Sequence, residues 1–303
     1  MAEMNRRANQ AGHAAWCYVG AMLMLATLGI FVRELALDSV TTAFFRCVFG
    51  ALALTLFCWR EGLFRRPHFA AGNVRRALFS GVLMVLNWVV FFESIGRVGI
   101  AVATIVFHVQ PFFVLALAAL LFRERIAAHQ LAWIAVGFIG LILACGWTGG
   151  ASPASSGAVP GIACALLGAL AYAGVTLTTK SMRGMPPPLI ALIHCSVGIV
   201  ALAAFVSIPA SGIRPAQWGW MAGLGVIPTA LAYVLIYGAL PKMATASVAV
   251  LTFIYPAAAV GVDFLFYGHR PGVFQAAGMG MIVMAGLGVG AGWRWRRWPL
   301  ART

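Results

Sequence analysis

Charge is what this sequence has least of. Of its 303 residues 9% are Asp, Glu, Lys or Arg, and only seven of those are acidic. A soluble domain carries about a quarter of its residues as charges, so this chain could not cover a water-facing surface. Cysteine occurs six times, at Cys17, Cys47, Cys58, Cys145, Cys164 and Cys195, but never as a CxxC pair. These cysteines lie in or beside apolar runs and read as small buried hydrophobes, not as a disulfide framework. Metal-ligand spacing, a phosphate-binding loop and a nucleophile set beside a credible base are all lacking. The Gly-rich GLGVGAG at 286–292 ends an apolar run with no strand before it, which excludes a dinucleotide fold. The sequence therefore implies no cofactor and no metal, and it lacks the paired catalytic groups that an integral membrane enzyme would need.

What is there is hydrophobicity: 62% of the residues are apolar and the mean hydropathy is +0.93. Continuous apolar runs cover residues 14–32, 41–59, 78–95, 99–122, 129–145, 161–179, 189–208, 218–240, 244–267 and 273–291. Each is about the length that crosses ~30 Å of hydrocarbon at 1.5 Å per residue, and a helix satisfies its own backbone in lipid. The fold class is all-α integral membrane, with ten transmembrane helices. The first run is long for a signal peptide and has no small-residue cleavage site before polar sequence, so it reads as a retained span. WTGGASPASSGAVP, 147–160, is uncharged and rich in Gly, Ser and Pro, the composition of a linker. The expected domains are a tail at 1–13, a first five-helix repeat at 14–146, that linker, a second repeat at 161–292 and a basic tail at 293–303.

The net charge of +14 does not indicate nucleic acid, because the basic residues sit between apolar runs and not on one polar face. With ten spans, 16 Lys and Arg fall on the side of both termini and four (Arg33, Arg97, Arg214 and Arg270) on the other; Arg46 lies inside a span. This is a positive-inside bias that places both termini in the cytoplasm. Trp293, Trp295 and Trp298, interleaved with arginines, suit an interfacial belt on that side.

The run at 99–125 returns at 244–270, offset by 145 positions, with Pro111 facing Pro256. Five spans per half is an odd number, so the second half enters the membrane upside down: a five-plus-five inverted repeat. Two such units can exchange conformations around a midplane site, which is alternating access. Proline inside a helix removes a backbone donor, so Pro111 and Pro256 read either as hinges or as tolerated kinks.

HVQPFFVLALAALLFRERI closely resembles the end of the repeated domain of the drug/metabolite transporter superfamily, EamA type. LATLGIFVREL, FFRCVFGALAL, LNWVVFFESI and GFIGLIL fit the same pattern, and the resemblance covers nearly the whole chain. It implies ten helices in a five-plus-five inverted repeat and a bacterial inner-membrane exporter, similar to the amino-acid exporters and among them the aromatic amino-acid group. The family's glutamate after the proline helix carries over to Glu124, while the second copy departs from the pattern with His269.

Charges inside spans are costly and ask for a reason. Arg46, Glu93 and Asp263 are the candidates for a gate contact or a structural ion pair, with Arg46 pairing to Glu93 or Asp263 as the economical arrangement. Asn87, Trp88, His108, Gln110, Tyr172, Thr176, Tyr233, Tyr237, Thr252 and Tyr255 are the candidates for the substrate cavity; most fall near mid-membrane, in helices that the family places around its cavity. An aromatic, weakly polar cavity suits a small amphipathic solute. His108 is open between a satisfied core histidine, a substrate contact and a proton-coupled group, and His194 reads as a helix-to-helix contact. The expected function is secondary active export of small metabolites, amino acids first among them. Export of cationic or lipophilic compounds is the alternative, and a membrane enzyme the remote one. The expected partners are a small-molecule substrate and membrane lipid, with no nucleic acid; the chain is a monomer or a homodimer.

Overall fold

A computed structural model describes residues 2–123, 127–144, 158–182, 184–208, 212–268, 270 and 272–290. Every regular element among them is helical. Span one is α1 (Ala2–Ala26) continued by α2 (Leu28–Leu35), and span two is α3 (Ser39–Arg60). The bend between them is short because Asp38 caps α3, accepting from the backbone N–H groups of Val40 and Thr41 at 3.0 and 2.9 Å. That satisfies two of the donors a helix start leaves open. Ala36 closes α2 in the left-handed region at φ 48°. The helix of span one starts well ahead of the apolar run at 14, since residues 2–13 are mostly good helix formers without proline.

Spans three and four come from α4 (Ala71–Phe107) and α5 (Gln110–Phe122). The sequence places a connector near residues 96–98, yet helical hydrogen bonding runs unbroken to Phe107. The chain nevertheless turns back inside α4. In a straight helix the Phe91 and Phe107 rings would be about 24 Å apart, whereas their centroids are 4.6 Å apart. The break that interrupts hydrogen bonding comes later, at His108 and Val109, just before Pro111.

Span five is α6 (Ala128–Ala144), span six α7 (Ala158–Ser181) and span seven α8 (Pro187–Leu202). Span eight is α9 (Pro215–Gly225), a π-helical stretch (Val226–Leu231) and α10 (Ala232–Ala239). Span nine is α11 (Thr245–Leu251) and α12 (Ile254–Tyr267), and span ten is α13 (Val273–Gly290). Eight segments are long and apolar enough to cross a membrane, and the helices at Ala128–Ala144 and Val273–Gly288 are shorter apolar ones. Leu52, Leu56, Trp59, Leu121, Val200 and Phe266 are among the large apolar side chains left on the outside, as expected of a lipid-facing surface.

Equivalent helices of the two halves pack against each other. α3 packs on α8, and α6 on α13. Both pairs run antiparallel. A Cβ on Gly50 would meet the Cys195 Sγ at 3.2 Å, and one on Gly198 would meet the Cys47 Sγ at 2.6 Å. Along the other seam Gly140 faces Gly278, and Gly288 faces Trp133. Span six packs on spans three and four, while span one packs on spans eight and nine. This crossed, reciprocal pattern is an inverted two-fold repeat. Lipid tails are as apolar as the helix faces, so association rests on close packing and interhelical polar contacts. At Gly278 a Cβ would stand 2.4 Å from the Gly140 carbonyl oxygen, so only glycine allows that approach.

The largest buried cluster joins spans one, two, three, six, seven, eight and nine around Tyr18, Met84, Trp88, Tyr233 and Tyr237. A second joins spans four, five, nine and ten around Trp133, Phe253 and Ile282.

Candidate functional site

Span eight shows how a local defect builds the centre. Pro228 has no N–H, so the carbonyl of Leu224 loses its helical partner. The Thr229 hydroxyl donates to that carbonyl at 2.8 Å, and the helix widens into its π-helical stretch. With its proton engaged, the Thr229 oxygen accepts from Arg46 Nε at 2.7 Å. Arg46 Nη2 donates to the Tyr233 hydroxyl at 3.2 Å and lies 3.5 Å from the Pro228 carbonyl oxygen. The guanidinium carbon lies 4.8 Å from the Trp88 ring centroid and 5.6 Å from that of Tyr233. The residue is 5% exposed.

The pairing expected for this cation is not formed with Glu93. Arg97 Nε donates to Glu93 Oε1 at 2.6 Å, and the Glu93 side chain is 52% exposed. One helical turn separates the two, so the neighbour on its own helix takes the carboxylate. Asp263 belongs to α12, but its side chain lies outside the described residues, as do Glu124 and His269.

A second polar joint repeats the first. The His194 ring lies 2.7 Å from the Ser80 hydroxyl through Nε2 and 2.8 Å from the Tyr237 hydroxyl through Nδ1. The Ser80 hydroxyl reaches the Ala77 carbonyl at 3.1 Å. With its proton there, Ser80 accepts from Nε2, and Nδ1 accepts from Tyr237. In sequence, Arg46-Cys47-x-x-Gly50 matches His194-Cys195-x-x-Gly198, and Ser80, Met84 and Trp88 match Thr229, Tyr233 and Tyr237. In each half, then, a nitrogen side chain of span two or seven bonds a hydroxyl of the other repeat and touches an aromatic of its own. Tyr233 and Tyr237 stack at 5.5 Å and link the two joints.

The broken helices supply the remaining candidates. His108 caps α4, with Nδ1 2.7 Å from the Thr104 carbonyl oxygen. That bond makes Nδ1 the donor and leaves Nε2 an acceptor. The ring stacks on Tyr255 at 5.8 Å and on Phe253 at 6.3 Å. Thr252 caps α11 at the corresponding break. It donates to the Val248 carbonyl at 2.8 Å, so it accepts from the Tyr18 hydroxyl at 2.9 Å. Pro111 and Pro256 each sit in the first turn of the helix that restarts, where a missing N–H costs little. Tyr172 faces Phe107 at 6.2 Å.

Three candidates are engaged in packing or stand apart from these joints. Asn87 Nδ2 donates to the Gly168 carbonyl at 3.0 Å and ties span three to span six. Thr176 donates to its own helix, to the Tyr172 carbonyl at 3.0 Å. Gln110 is buried with no hydrogen-bond partner for Oε1 among the described residues. Sequence reasoning missed Tyr18, Ser80 and Thr229 and gave His194 only a packing role. The signal that finds them is the Cys-x-x-Gly repeat, which sets the register of spans two and seven. Among the described residues no group of three or more His, Cys, Asp or Glu could hold a metal ion.

Comparison with known proteins agrees with this architecture. The model of the family described as "EamA-like transporter family" matches residues 13–146 and 159–290. The chain is 29% identical over 264 residues to "Uncharacterized transporter YxxF" of Bacillus subtilis, covering 86% of this chain and 84% of the relative. It is 28% identical over 285 residues to an "Uncharacterized transporter" of Archaeoglobus fulgidus, covering 93% and 96%. It is 27% identical over 280 residues to "Pseudopaline exporter CntI" of Pseudomonas aeruginosa, covering 88% and 91%. A solved structure superposes with a TM-score of 0.80 at 16% identity, over 91% of this chain and 97% of that one, a likeness of fold alone.

Proposed function

This chain belongs to the EamA-like transporter family of the drug/metabolite transporter superfamily, and from that premise we propose that it is a secondary active exporter of small metabolites, amino acids first among them. It is a multi-pass membrane transporter, not an enzyme. The observation that carries the mechanism is the crossed packing of the two halves, span one on spans eight and nine and span six on spans three and four. Two inverted units so arranged can trade conformations, closing one mouth as the other opens. Export as the direction draws support from the Pseudomonas aeruginosa relative named an exporter.

The substrate cavity is lined by Trp88, Tyr172, Tyr233, Tyr237 and Tyr255. The helix breaks before Pro111 and Pro256 are the hinges. Arg46 stands at the gate between the halves. The boundaries 14–146 and 161–292 delimit the repeats. The protein sits in a bacterial inner membrane with both termini in the cytoplasm, a placement supported by the distribution of Lys and Arg. The alternative, export of cationic or lipophilic compounds, would be favoured by a carboxylate facing the cavity, whereas Glu93 is exposed and paired with Arg97.

The test is counterflow into liposomes of purified protein, with a panel of labelled amino acids and organic cations. Saturable counterflow of amino acids is expected, and Pro111→Ala should slow it several-fold per folded molecule. Movement of cations alone would overturn the substrate assignment, and unchanged rates in Pro111→Ala would remove the hinge.

A further inference from the structure

We propose that Arg46 anchors the substrate, its unused Nη1 edge taking the carboxylate of a small amphipathic acid or zwitterion. The anchor rests on the transport reading above and names the group that the transporter holds.

Four observations converge on it. A guanidinium has five N–H donors in a fixed fork. Here Nε goes to Thr229 and Nη2 to Tyr233 and the Pro228 carbonyl, while among the described residues Nη1 has no hydrogen-bond partner. Among the described residues no carboxylate lies within ion-pair distance of Arg46, although the residue is 95% buried. A buried cation without a counter-ion is costly, and inside a membrane such a residue marks a functional site by default.

The inverted repeat supplies a control. His194 occupies the same place in the second half and makes the same kind of joint, to Ser80 and Tyr237, with both ring nitrogens satisfied. The joint between spans two or seven and three or eight therefore needs no positive charge. Arginine at position 46 adds a charge and two donors that the fold does not use. The surroundings match the remainder of the ligand. Trp88 and Tyr233 flank the guanidinium, so the apolar or aromatic part of a ligand held there would lie among aromatic rings. Nη1 offers a carboxylate oxygen a charge-assisted hydrogen bond, which a neutral amide oxygen accepts only more weakly and an ammonium cannot accept at all. The expected substrates are thus acids such as L-phenylalanine or 3-phenylpropionate, and neither L-phenylalaninamide nor phenethylamine should replace them.

The experiment uses the full chain in liposomes. Counterflow of labelled L-phenylalanine, L-leucine and 3-phenylpropionate is measured for the native protein, Arg46→Lys and Arg46→Gln. L-phenylalaninamide, phenethylamine and tetraphenylphosphonium serve as competitors and, labelled, as substrates. The anchor requires that acids compete while the amide and amines do not, and that Arg46→Gln raises the half-saturation concentration for acids at least tenfold, with Arg46→Lys in between. If Arg46→Gln does not fold to a monodisperse species, competition in the native protein and the Arg46→Lys result decide. An amide that competes as well as its acid, or a folded Arg46→Gln with native half-saturation for acids, overturns the anchor and leaves transport standing. Transport of tetraphenylphosphonium without any acid overturns both the anchor and the amino-acid assignment, and no counterflow of any probe overturns transport and anchor together.

Discussion

Ser80 and Thr229 are single hydroxyls on apolar helices, and each accepts a hydrogen bond that joins the two halves. Their own protons go to backbone carbonyls, at Ala77 and Leu224 respectively, which leaves each oxygen free to accept from the opposing nitrogen side chain. Removing one of them strands a buried N–H donor, at a cost of about 1–3 kcal/mol. Ser80→Ala is therefore expected to lower the thermal midpoint of the purified protein, and adding Tyr237→Phe should lower it by less than the sum of the two single changes, because both act through His194. Strict additivity would mean that the imidazole does not couple them. Arg46, Trp88, Tyr233 and Tyr237 are visible in the sequence because a cation or a large aromatic ring stands out inside an apolar run. Ser80 and Thr229 are not, since a hydroxyl in a membrane helix ordinarily bonds its own backbone. Register hides them further. Pro111 and Pro256 align at an offset of 145, whereas Trp88 and Tyr237 align at 149, one helical turn away.

At the scale of helices, the seam between α3 and α8 is a pair of thiol–glycine contacts related by the inverted repeat. A methyl group at position 198 would meet the Cys47 Sγ at 2.6 Å but its Cβ only at 3.5 Å. Gly198→Ala alone should destabilise by about 1–3 kcal/mol through overpacking. Adding Cys47→Ala, which removes the sulfur and leaves an ordinary contact, should recover most of that loss in thermal unfolding. No recovery in the double variant would show that the seam is not packed as described. The sequence makes the ten helices legible through their length and hydropathy. It is less informative about interruptions. The turn between spans three and four is expected from composition, but hydrogen bonding continues through it, while the real break falls at His108 and Val109 because Pro111 cannot donate to the turn before it. The π-helical stretch in span eight was not anticipated, since a proline in an apolar run is compatible with a kink, a break or a widened turn.

Over the whole molecule the distribution of charge sets orientation. Sixteen Lys and Arg flank the spans on one side and four on the other, so a fluorescent protein fused to either terminus should be fluorescent, while alkaline phosphatase fused to the C-terminus should be inactive. Active phosphatase there would reverse the assignment of both mouths. The inverted repeat is legible because each half has an odd number of spans; its crossed packing is not, because hydropathy says where a helix lies in depth and nothing of its neighbours. That crossing also bears on how the protein is made. Tyr18 in span one bonds Thr252 in span nine, 234 residues later. At about 5–20 residues per second, the ribosome takes on the order of 10–50 s to supply that partner. For that interval the Tyr18 hydroxyl is in the membrane without the acceptor it has in the finished fold, so this contact between the halves closes only after most of the chain has been made.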